Sequence, residues 1–340
     1  MSTLRSKLGL AWLLCLGLVI ATIQTLFWLF PEDAYYSKQQ DFDARANSIV
    51  AISLGVSHSR AIHFPSLGMS GFSYHDPSSD LLTAAEKYRA IAPLTPNLKY
   101  IFLPISPPFL HFFQRDEIRT SRELSVYANY PKYSNFNGKL YWTLRLQYPE
   151  RMLQKLRFIF REKFENLTYH LGVSQKQLTC QPKRIGSKDH EDGIIGGYFD
   201  AYVDGKCLAE LAASTASGHA NQALKAEDLL ENFTKNKNLM AAMIKQMAAN
   251  QHQLILYIPP FTSEYYEHKS WESVKVEQRL YLQELSLEPN VLFVDYHDLF
   301  YQRNYVELNT LFYDDDHLGL DGAIEFSKIL RRDIRQFESQ

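Results

Sequence analysis

The sequence predicts an α/β fold in which a mostly parallel sheet is covered by helices on both faces. Short β-branched runs recur along the chain, and they are continuously apolar, as in strands buried on both faces. Amphipathic helical stretches separate these runs, and this alternation is typical of parallel strands joined by right-handed crossovers. A glycine, serine or proline closes each of the first three runs, which marks the strand ends.

The predicted elements alternate along the chain. The strands are Ser48–Leu54, Tyr100–Ile105, Leu254–Ile258 and Val291–Val294. The helices begin near Asp76, Leu224, Trp271 and Asp321, and the last three end near Ala249, Leu285 and Phe337. Because open parallel sheets bind ligands at the carboxyl ends of their strands, we expect chemistry in the residues that follow these strands.

The N-terminal segment Leu8–Phe30 is an uncharged apolar run. At 1.5 Å rise per residue, about 23 helical residues cover a hydrocarbon core of about 30 Å. The run ends in bulky side chains, whereas the cleavage site of a signal peptide needs small ones. We therefore expect one retained transmembrane helix over residues 8–30, with a cleaved signal peptide as the alternative.

The charges on either side of this run predict its orientation. Arg5 and Lys7 precede it and acidic residues follow it, and positive charge stays on the cytoplasmic side of a membrane. Residues 1–7 are then a cytoplasmic tail and residues 31–47 a polar stalk. Residues 48–340 are expected to form a periplasmic or otherwise extracytoplasmic domain, anchored to the cytoplasmic (inner) membrane.

The middle of the chain departs from the alternation. Residues 110–218 show no regular succession of strands and helices, so we expect an insertion or lid over the domain. Within it, Tyr148–Leu171 predicts a basic amphipathic helix, which lies either on a membrane surface or against the core.

Cysteine usage and net charge limit the ligands to expect. Two of the three cysteines, Cys180 and Cys207, lie in the predicted extracytoplasmic domain and are candidates for a disulfide, with two separate buried thiols as the alternative. No CxxC or Cys/His grouping predicts a zinc site, so we expect neither a metal nor a cofactor. A net charge of −2 argues against a nucleic acid as partner.

Two segments carry residues that suit nucleophilic catalysis. Ser57 directly follows the first strand, where the next helical turn would offer backbone N–H donors to an oxyanion. Asp314 lies three residues before His317, just ahead of the last helix. A serine nucleophile needs a general base, and that base needs a carboxylate to fix its tautomer. The alternatives are a helix-capping serine in the first segment and an acidic cap or cation site in the second.

Together the two segments resemble the SGNH (GDSL-type) hydrolase superfamily. A G-x-S block after the first strand and a D-x-x-H block before the last helix occur in the order found in that family. The resemblance implies a flavodoxin-like three-layer sandwich. It also implies that Ser57 is the nucleophile, His317 the general base and Asp314 its orienting carboxylate. It covers both ends of the domain but not the predicted insertion.

The chain departs from the family pattern around the oxyanion hole. Val56 stands where the family has Asp, and the family's third-block Asn is missing after the second predicted strand. Ser106 is the candidate to donate in place of that Asn. Gly71, with Gly68 in reserve, is the candidate for the family's oxyanion glycine. Losing one oxyanion donor raises a barrier by about 2.7–4 kcal/mol.

The anchor and the missing Asn together resemble the membrane-tethered DltD-like and AlgX/AlgJ-like branch of cell-envelope acylation. This resemblance implies an acyltransferase or esterase for O-acyl groups, acetyl foremost, on an exopolysaccharide or other envelope polymer. It also implies a multispanning membrane acyltransferase as partner. Arg60 and His58 are the candidate substrate-binding residues. The alternatives are that Arg60 binds acidic residues of the stalk and that His58 is a local hydrogen-bonding partner or is exposed. The rival interpretation is an inactive scaffold that binds glycan or docks to the acyltransferase.

Overall fold

The structure is a computed structural model that describes residues 17, 41–75, 80–107, 109–111, 183–186, 199–202, 212–220 and 229–339. Within these residues the chain has an α/β fold built on a five-stranded, all-parallel sheet. A two-stranded antiparallel ribbon is separate from this sheet. The sheet strands are β1 (Ala51–Ser53), β2 (Gly71–Ser73), β3 (Tyr100–Pro104), β6 (Gln253–Ile258) and β7 (Val291–Asp295), and the ribbon strands are β4 (Lys183–Gly186) and β5 (Phe199–Tyr202).

Helices connect the strands. They are α1 (Phe64–Leu67), α2 (Leu81–Ile91), α3 (residues 212–220), α4 (Leu229–Ala249), α5 (Ser263–Tyr266), α6 (Glu272–Leu285), α7 (Tyr305–Leu311) and α8 (Leu320–Glu338). Side-chain caps begin three of them. In α1, α2 and α7 the backbone N–H groups of Ser66, Thr83 and Glu307 donate to the side chains of His63, Asp80 and Asn304 at 3.3, 2.9 and 3.0 Å. Such caps satisfy backbone donors that have no partner inside the helix.

The sheet forms the middle of three layers. Along β3, Ile101 and Leu103 join an apolar cluster with residues of α2, α4 and α6. The alternate residues Tyr100 and Phe102 join a second cluster with residues of α1, α7 and α8. Successive side chains of a strand point to opposite faces, so each face of the sheet is covered by its own set of helices.

The strand order β2-β1-β3-β6-β7 creates a crevice beside β1. The chain leaves β1 on the face that carries α1 and reaches β3 through α2 on the opposite face. Ligands of doubly wound sheets bind at such a change of direction, outside the carboxyl ends of the strands. The residues that follow β1 and β3 are therefore well placed to form a site.

The predicted α/β class is confirmed, and each of the four predicted strands is present. The fifth strand, β2, was not predicted, because three residues that begin with glycine give too short an apolar run. The helix predicted from Asp76 begins after Asp80, and residues 76–79 lie outside the described residues. The other three predicted helices correspond to α4, α6 and α8, within a few residues of the expected bounds.

Several predictions fall on residues that the structure does not describe. Of the expected transmembrane span over residues 8–30, it describes Gly17 alone, which is helical. Among the described residues, no helix combines the length and the apolar character needed to cross a bilayer. Cys180, Cys207 and Tyr148–Leu171 also lie outside the described residues. The described parts of the predicted insertion are residues 110 and 111, β4, β5 and most of α3.

The end of the predicted stalk is part of the folded domain. Residues 41–48 are helical and carry Phe42, which is 1% exposed. Its ring packs edge-on against Phe72 and Tyr74, with centroids 5.3 and 5.0 Å apart. The domain therefore begins before residue 48, because this aromatic side chain completes the core beside β2.

Gly71 makes room for a buried aromatic ring. A Cβ atom at this position would lie 2.0 Å from Cδ1 of Phe64, whose side chain is fully buried. We expect Gly71→Ala to lower the free energy of unfolding by roughly 1–3 kcal/mol or more, because the core has to shift to accept one methyl group. Urea unfolding of the purified chain measures this change.

Gly218→Ala is the matched control. A Cβ atom at Gly218 meets nothing within 4 Å, and the residue lies in α3. Alanine favours a helix over glycine by up to about 1 kcal/mol, so this variant is expected to be as stable as the native chain or more so. Equal free energies of unfolding for the two variants would show that the Gly71 contact is not tight.

Candidate active site

A tight turn places Ser57 at the carboxyl edge of the sheet. Gly55, just after β1, has φ of +97°, a conformation that glycine adopts without steric cost. The Oγ of Ser59 donates to the carbonyl oxygen of Leu54 at 2.5 Å and ties the following 3₁₀ turn back to the strand end. Ser57 begins that turn and is half-buried, so its hydroxyl faces the crevice beside β1.

The loop before α8 is closed on itself and presents His317. Phe312 and Leu318 form an isolated antiparallel bridge, and the Tyr313 N–H donates to the carbonyl oxygen of His317 at 2.8 Å. Within the loop, Oδ1 of Asp314 accepts the backbone N–H of His317 at 2.7 Å. The aspartate thus fixes the backbone that carries the histidine as well as facing its ring.

Ser57, His317 and Asp314 lie in a hydrogen-bonded row. Nε2 of His317 is 2.6 Å from Oγ of Ser57. Nδ1 of the same ring is 2.9 and 3.1 Å from the two carboxylate oxygens of Asp314. In this arrangement one nitrogen can accept the hydroxyl proton while the other donates to a carboxylate, which is the geometry that serine activation requires.

A second carboxylate, which sequence reasoning missed, also faces His317. Oδ1 of Asp316 is 2.8 Å from Nδ1 of His317, and its Oδ2 is 3.2 Å from Nε2 of His58. The Asp316 side chain is 2% exposed, whereas that of His317 is 20% exposed. Three consecutive aspartates precede His317 in the sequence, but the sequence does not show which of their side chains face the histidine ring.

Neighbouring charges shift the pKa values in this group. Burial alone would lower the pKa of His317, but the negative charges of Asp314 and Asp316, with their hydrogen bonds, raise it well above its usual value. Burial would raise the pKa of Asp316, yet the charge of His317 and hydrogen bonds from both histidines hold it well below its usual value. Burial lowers the pKa of His58.

Asp315, the middle aspartate, points away from His317. Its Oδ1 accepts from the hydroxyl of Thr215 at 3.3 Å, and its backbone oxygen accepts from the hydroxyl of Thr262 at 2.7 Å. The side chain is buried and its Oδ2 has no hydrogen-bond partner among the described residues. Burial, followed by the charges of Asp316 and Asp314, raises the pKa of Asp315 to about 8.

Helix α3 reaches this loop from the end of the predicted insertion. Nδ1 of His219 is 3.0 Å from the hydroxyl of Tyr265 and 3.7 Å from Oδ2 of Asp316. Ala212 and Ala216 on the same helix are fully buried against the core. The last part of the predicted insertion therefore packs beside the candidate site, and Thr215 and His219 were not predicted as part of it.

A small pocket opens beside Ser57 and His317. Its walls include Arg60, Pro259 and Leu318, and its empty volume is about 190 Å³. Part of this volume is open to solvent. Nε of Arg60 donates to Nε2 of His75 at 3.2 Å, which holds the guanidinium at the pocket wall.

The predicted oxyanion glycines lie elsewhere. Gly71 is the first residue of β2 and pairs with Ala51, at the amino end of the sheet and away from Ser57. Gly68 ends α1 with φ of +69°, and its N–H donates to the carbonyl oxygen of Pro65 at 3.0 Å. Both predictions are wrong because these glycines serve local packing and a helix cap.

Ser106 and His58 also differ from their expected roles. Ser106 is buried beyond β3, and its carbonyl oxygen accepts from the side-chain amide of Gln278 at 3.0 Å. It is not among the residues that line the pocket. His58 does line the pocket, but its Nε2 is engaged by Asp316 and its ring stacks on that of His317, with centroids 4.7 Å apart.

Two groups of side chains have a spacing that suits a cation. The ligand atoms of His58, Asp316 and His317 lie within 4.8 Å of one another, as do those of the three aspartates. In the first group, the contacts of Asp316 with Nε2 of His58 at 3.2 Å and with Nδ1 of His317 at 2.8 Å account for the close approach. A cation bound at Nδ1 of His317 would replace the proton that fixes the tautomer of the base.

Comparisons with known proteins add no relative. No protein-family model matches the chain, and no curated protein matches it. Function is therefore inferred from the residues and geometry of the site.

The raised pKa of Asp315 predicts a pH-dependent stability. The folded state keeps this carboxyl protonated up to about pH 8, whereas an unfolded aspartate ionises near its ordinary pKa of about 3.9. The folded state therefore binds more protons between these values, and the contribution of Asp315 to stability falls as pH rises from about 4 to 8. Asp315→Asn removes this loss.

Urea unfolding of native and Asp315→Asn chains between pH 5 and pH 8.5 tests this expectation. The stability of the variant relative to the native chain is expected to increase with pH across the range. A constant difference between the two chains would contradict a buried, protonated Asp315.

Proposed function

We propose that this protein is a membrane-tethered serine acyltransferase or esterase that acts on O-acyl groups of a cell-surface polysaccharide or other envelope polymer. The observation that carries the proposal is the 2.6 Å contact between Oγ of Ser57 and Nε2 of His317, whose Nδ1 faces Asp314. Hydrogen bonds of this length allow direct proton transfer from the hydroxyl to the imidazole.

The reaction follows from this geometry. Oγ of Ser57 attacks the carbonyl carbon of the ester while Nε2 of His317 takes the hydroxyl proton. The tetrahedral intermediate expels the alcohol, which receives that proton, and an acyl group remains on Ser57. A sugar hydroxyl or water then attacks the acyl group, with His317 accepting its proton and returning it to Ser57. Transfer and hydrolysis differ in the second acceptor alone.

The strand order supports an SGNH-like interpretation of the fold. The sheet order β2-β1-β3-β6-β7 is the flavodoxin-like order, with Ser57 at the change of direction beside β1. The G-x-S turn follows the first strand, and the D-x-x-H loop precedes the last helix. These two features carry the resemblance to the SGNH family, and Gly55 supplies the sharp turn between strand and nucleophile.

Oxyanion donors in this proposal come from the nucleophile's own turn. Ser57 begins a 3₁₀ helix, and the first backbone N–H groups of a helix have no partners within it. Arg60 adds positive charge at the pocket wall. This arrangement takes the place of the family's glycine and Asn donors, since Gly71, Gly68 and Ser106 do not line the pocket.

The size of the pocket favours a small acyl group such as acetyl. Pro259 and Leu318 line the pocket next to Ser57, and a longer acyl chain would have to extend past them. The predicted transmembrane helix would hold this site at the membrane, where a multispanning acyltransferase could deliver acyl groups and polymers emerge. Tethering therefore favours transfer over free hydrolysis.

A serine-reactive probe tests the nucleophile. We expect a fluorophosphonate to label the purified protein at Ser57, because His317 increases the nucleophilicity of its hydroxyl. Labelling is expected to disappear in Ser57→Ala and to fall by roughly 10³-fold or more in His317→Gln. In-gel fluorescence with peptide mapping measures both changes.

Ser286→Ala is the control, since Ser286 is exposed at the end of α6 and its hydroxyl donates to the backbone carbonyl of Gln283. The inactive scaffold would be favoured if Ser57→Ala were labelled as strongly as the native protein. It would also be favoured if the folded native protein were not labelled at any pH.

Acyl-chain preference tests the pocket. We expect kcat/KM for p-nitrophenyl acetate to exceed that for p-nitrophenyl octanoate by roughly tenfold or more, because the longer chain does not fit beside Leu318. Leu318→Ala enlarges the pocket and is expected to reduce this ratio. A native ratio below one would rule out a site built for small acyl groups.

A further inference from the structure

Two carboxylates lie within 3 Å of Nδ1 of His317. The nitrogen carries one hydrogen, yet it lies 2.9 Å from Oδ1 of Asp314 and 2.8 Å from Oδ1 of Asp316. The N–H donates to Asp314, whereas the contact with Asp316 is an ion pair once the ring is charged. The two negative charges together stabilise the imidazolium that forms during catalysis. Triads of the usual kind have one such carboxylate.

The second oxygen of Asp316 has its own donor. Nε2 of His58 lies 3.2 Å from Oδ2 of Asp316, and this contact needs the hydrogen of His58 on Nε2. Nδ1 of His58 then carries no hydrogen, which agrees with its having no hydrogen-bond partner among the described residues. Burial lowers the pKa of His58, so the ring stays neutral and donates one hydrogen bond to the carboxylate.

Ring packing fixes the orientation of His58 relative to His317. Their rings are stacked, with centroids 4.7 Å apart and planes 14° from parallel. Phe261 contacts the His58 ring edge-on at 5.2 Å and limits its rotation. A neutral His58 can lie against a His317 that becomes positively charged, whereas two charged imidazoles would repel each other.

We propose that Asp316 is a positioning residue for the general base: beside Asp314 it forms an ion pair with the imidazolium of His317, while His58 holds its other oxygen. This rests on the proposed function, in which His317 is the base. Among the described residues, the other titratable or charged groups around the pair are Asp315 in the same loop, His219 on α3 at 3.7 Å from Asp316, Tyr265 on α5, and Arg60 at the pocket wall.

Matched carboxylate-to-amide variants test this proposal. We expect Asp314→Asn and Asp316→Asn each to lower the pKa of His317, because each removes one negative charge beside Nδ1. The double variant is expected to lower it further. Asp315→Asn, from the same loop, is the control and is expected to leave it unchanged. The measurement is an NMR titration of the full chain labelled with ¹⁵N-histidine, with His317 assigned by His317→Gln.

Esterase kinetics with p-nitrophenyl acetate give the second readout. Since neutral His317 is the active form, the acidic limb of kcat/KM is expected to move to lower pH in both single variants. Above that limb, kcat is expected to fall by roughly 10²-fold or less in each, because one carboxylate remains, and by about 10⁴-fold in the double variant. KM is expected to change little.

His58 is tested by a pair of substitutions. His58→Gln retains an N–H donor for Asp316 and is expected to keep most of the native kcat. His58→Leu removes the donor and is expected to lower kcat. If Asp316→Asn does not fold, Asp316→Glu replaces it: the charge is kept, so the pKa of His317 stays raised, but the displaced carboxylate is expected to lower kcat.

The outcomes separate this proposal from the proposed function. A pKa of His317 that responds to both single variants supports the ion pair of Asp316 with the ring, whether or not the protein hydrolyses an ester. A pKa that responds to only one of the two variants overturns it. Absence of fluorophosphonate labelling at Ser57 would overturn the proposed function. The NMR titration would still show whether Asp316 raises the pKa of His317.

Discussion

The contact between Ser57 and His317 is the constraint on which the site depends. It joins residues 260 positions apart, so it forms only if β1 and the loop before α8 end at the same edge of the sheet. Ser327 on α8 helps to join them: its Oγ accepts the N–H of His63 at 2.8 Å, just beyond the Ser57 turn. The parallel sheet, the Gly55 turn and the packing of α8 therefore all contribute to one 2.6 Å hydrogen bond.

Burial gives this contact its chemical character. Asp316 is almost fully buried and ionised, and it is stabilised because two histidines surround it. A buried carboxylate with its donors in place is tolerated, whereas one without them would be costly. The carboxylates that stabilise a charged His317 also raise its pKa. Stronger stabilisation of the imidazolium therefore leaves less of the neutral histidine that can accept the Ser57 proton. That balance determines the pH at which Ser57 can react.

The sequence allowed the fold class and the Ser57, Asp314 and His317 row to be predicted, because both follow from local patterns and strand-end positions. It did not allow the oxyanion donors or Asp316 to be found. Gly68 and Gly71 have the right residue type, but Gly68 ends helix α1 with a positive φ and Gly71 makes room for the ring of Phe64, and neither role can be told from the residue type alone. The closure of the loop determines which of the three adjacent aspartates face the histidine. The position of α3 beside this loop depends on tertiary packing.

Trapping an acyl-enzyme tests whether Ser57 is the nucleophile. Native protein is mixed with p-nitrophenyl acetate, quenched in acid within the first turnovers, and digested for peptide mass spectrometry. We expect one acetyl group on the peptide that contains Ser57, and its absence in His317→Gln treated in the same way. Acetylation spread over lysine-containing peptides without any on Ser57, or equal acetylation of Ser57 in both proteins, would contradict a serine nucleophile activated by His317.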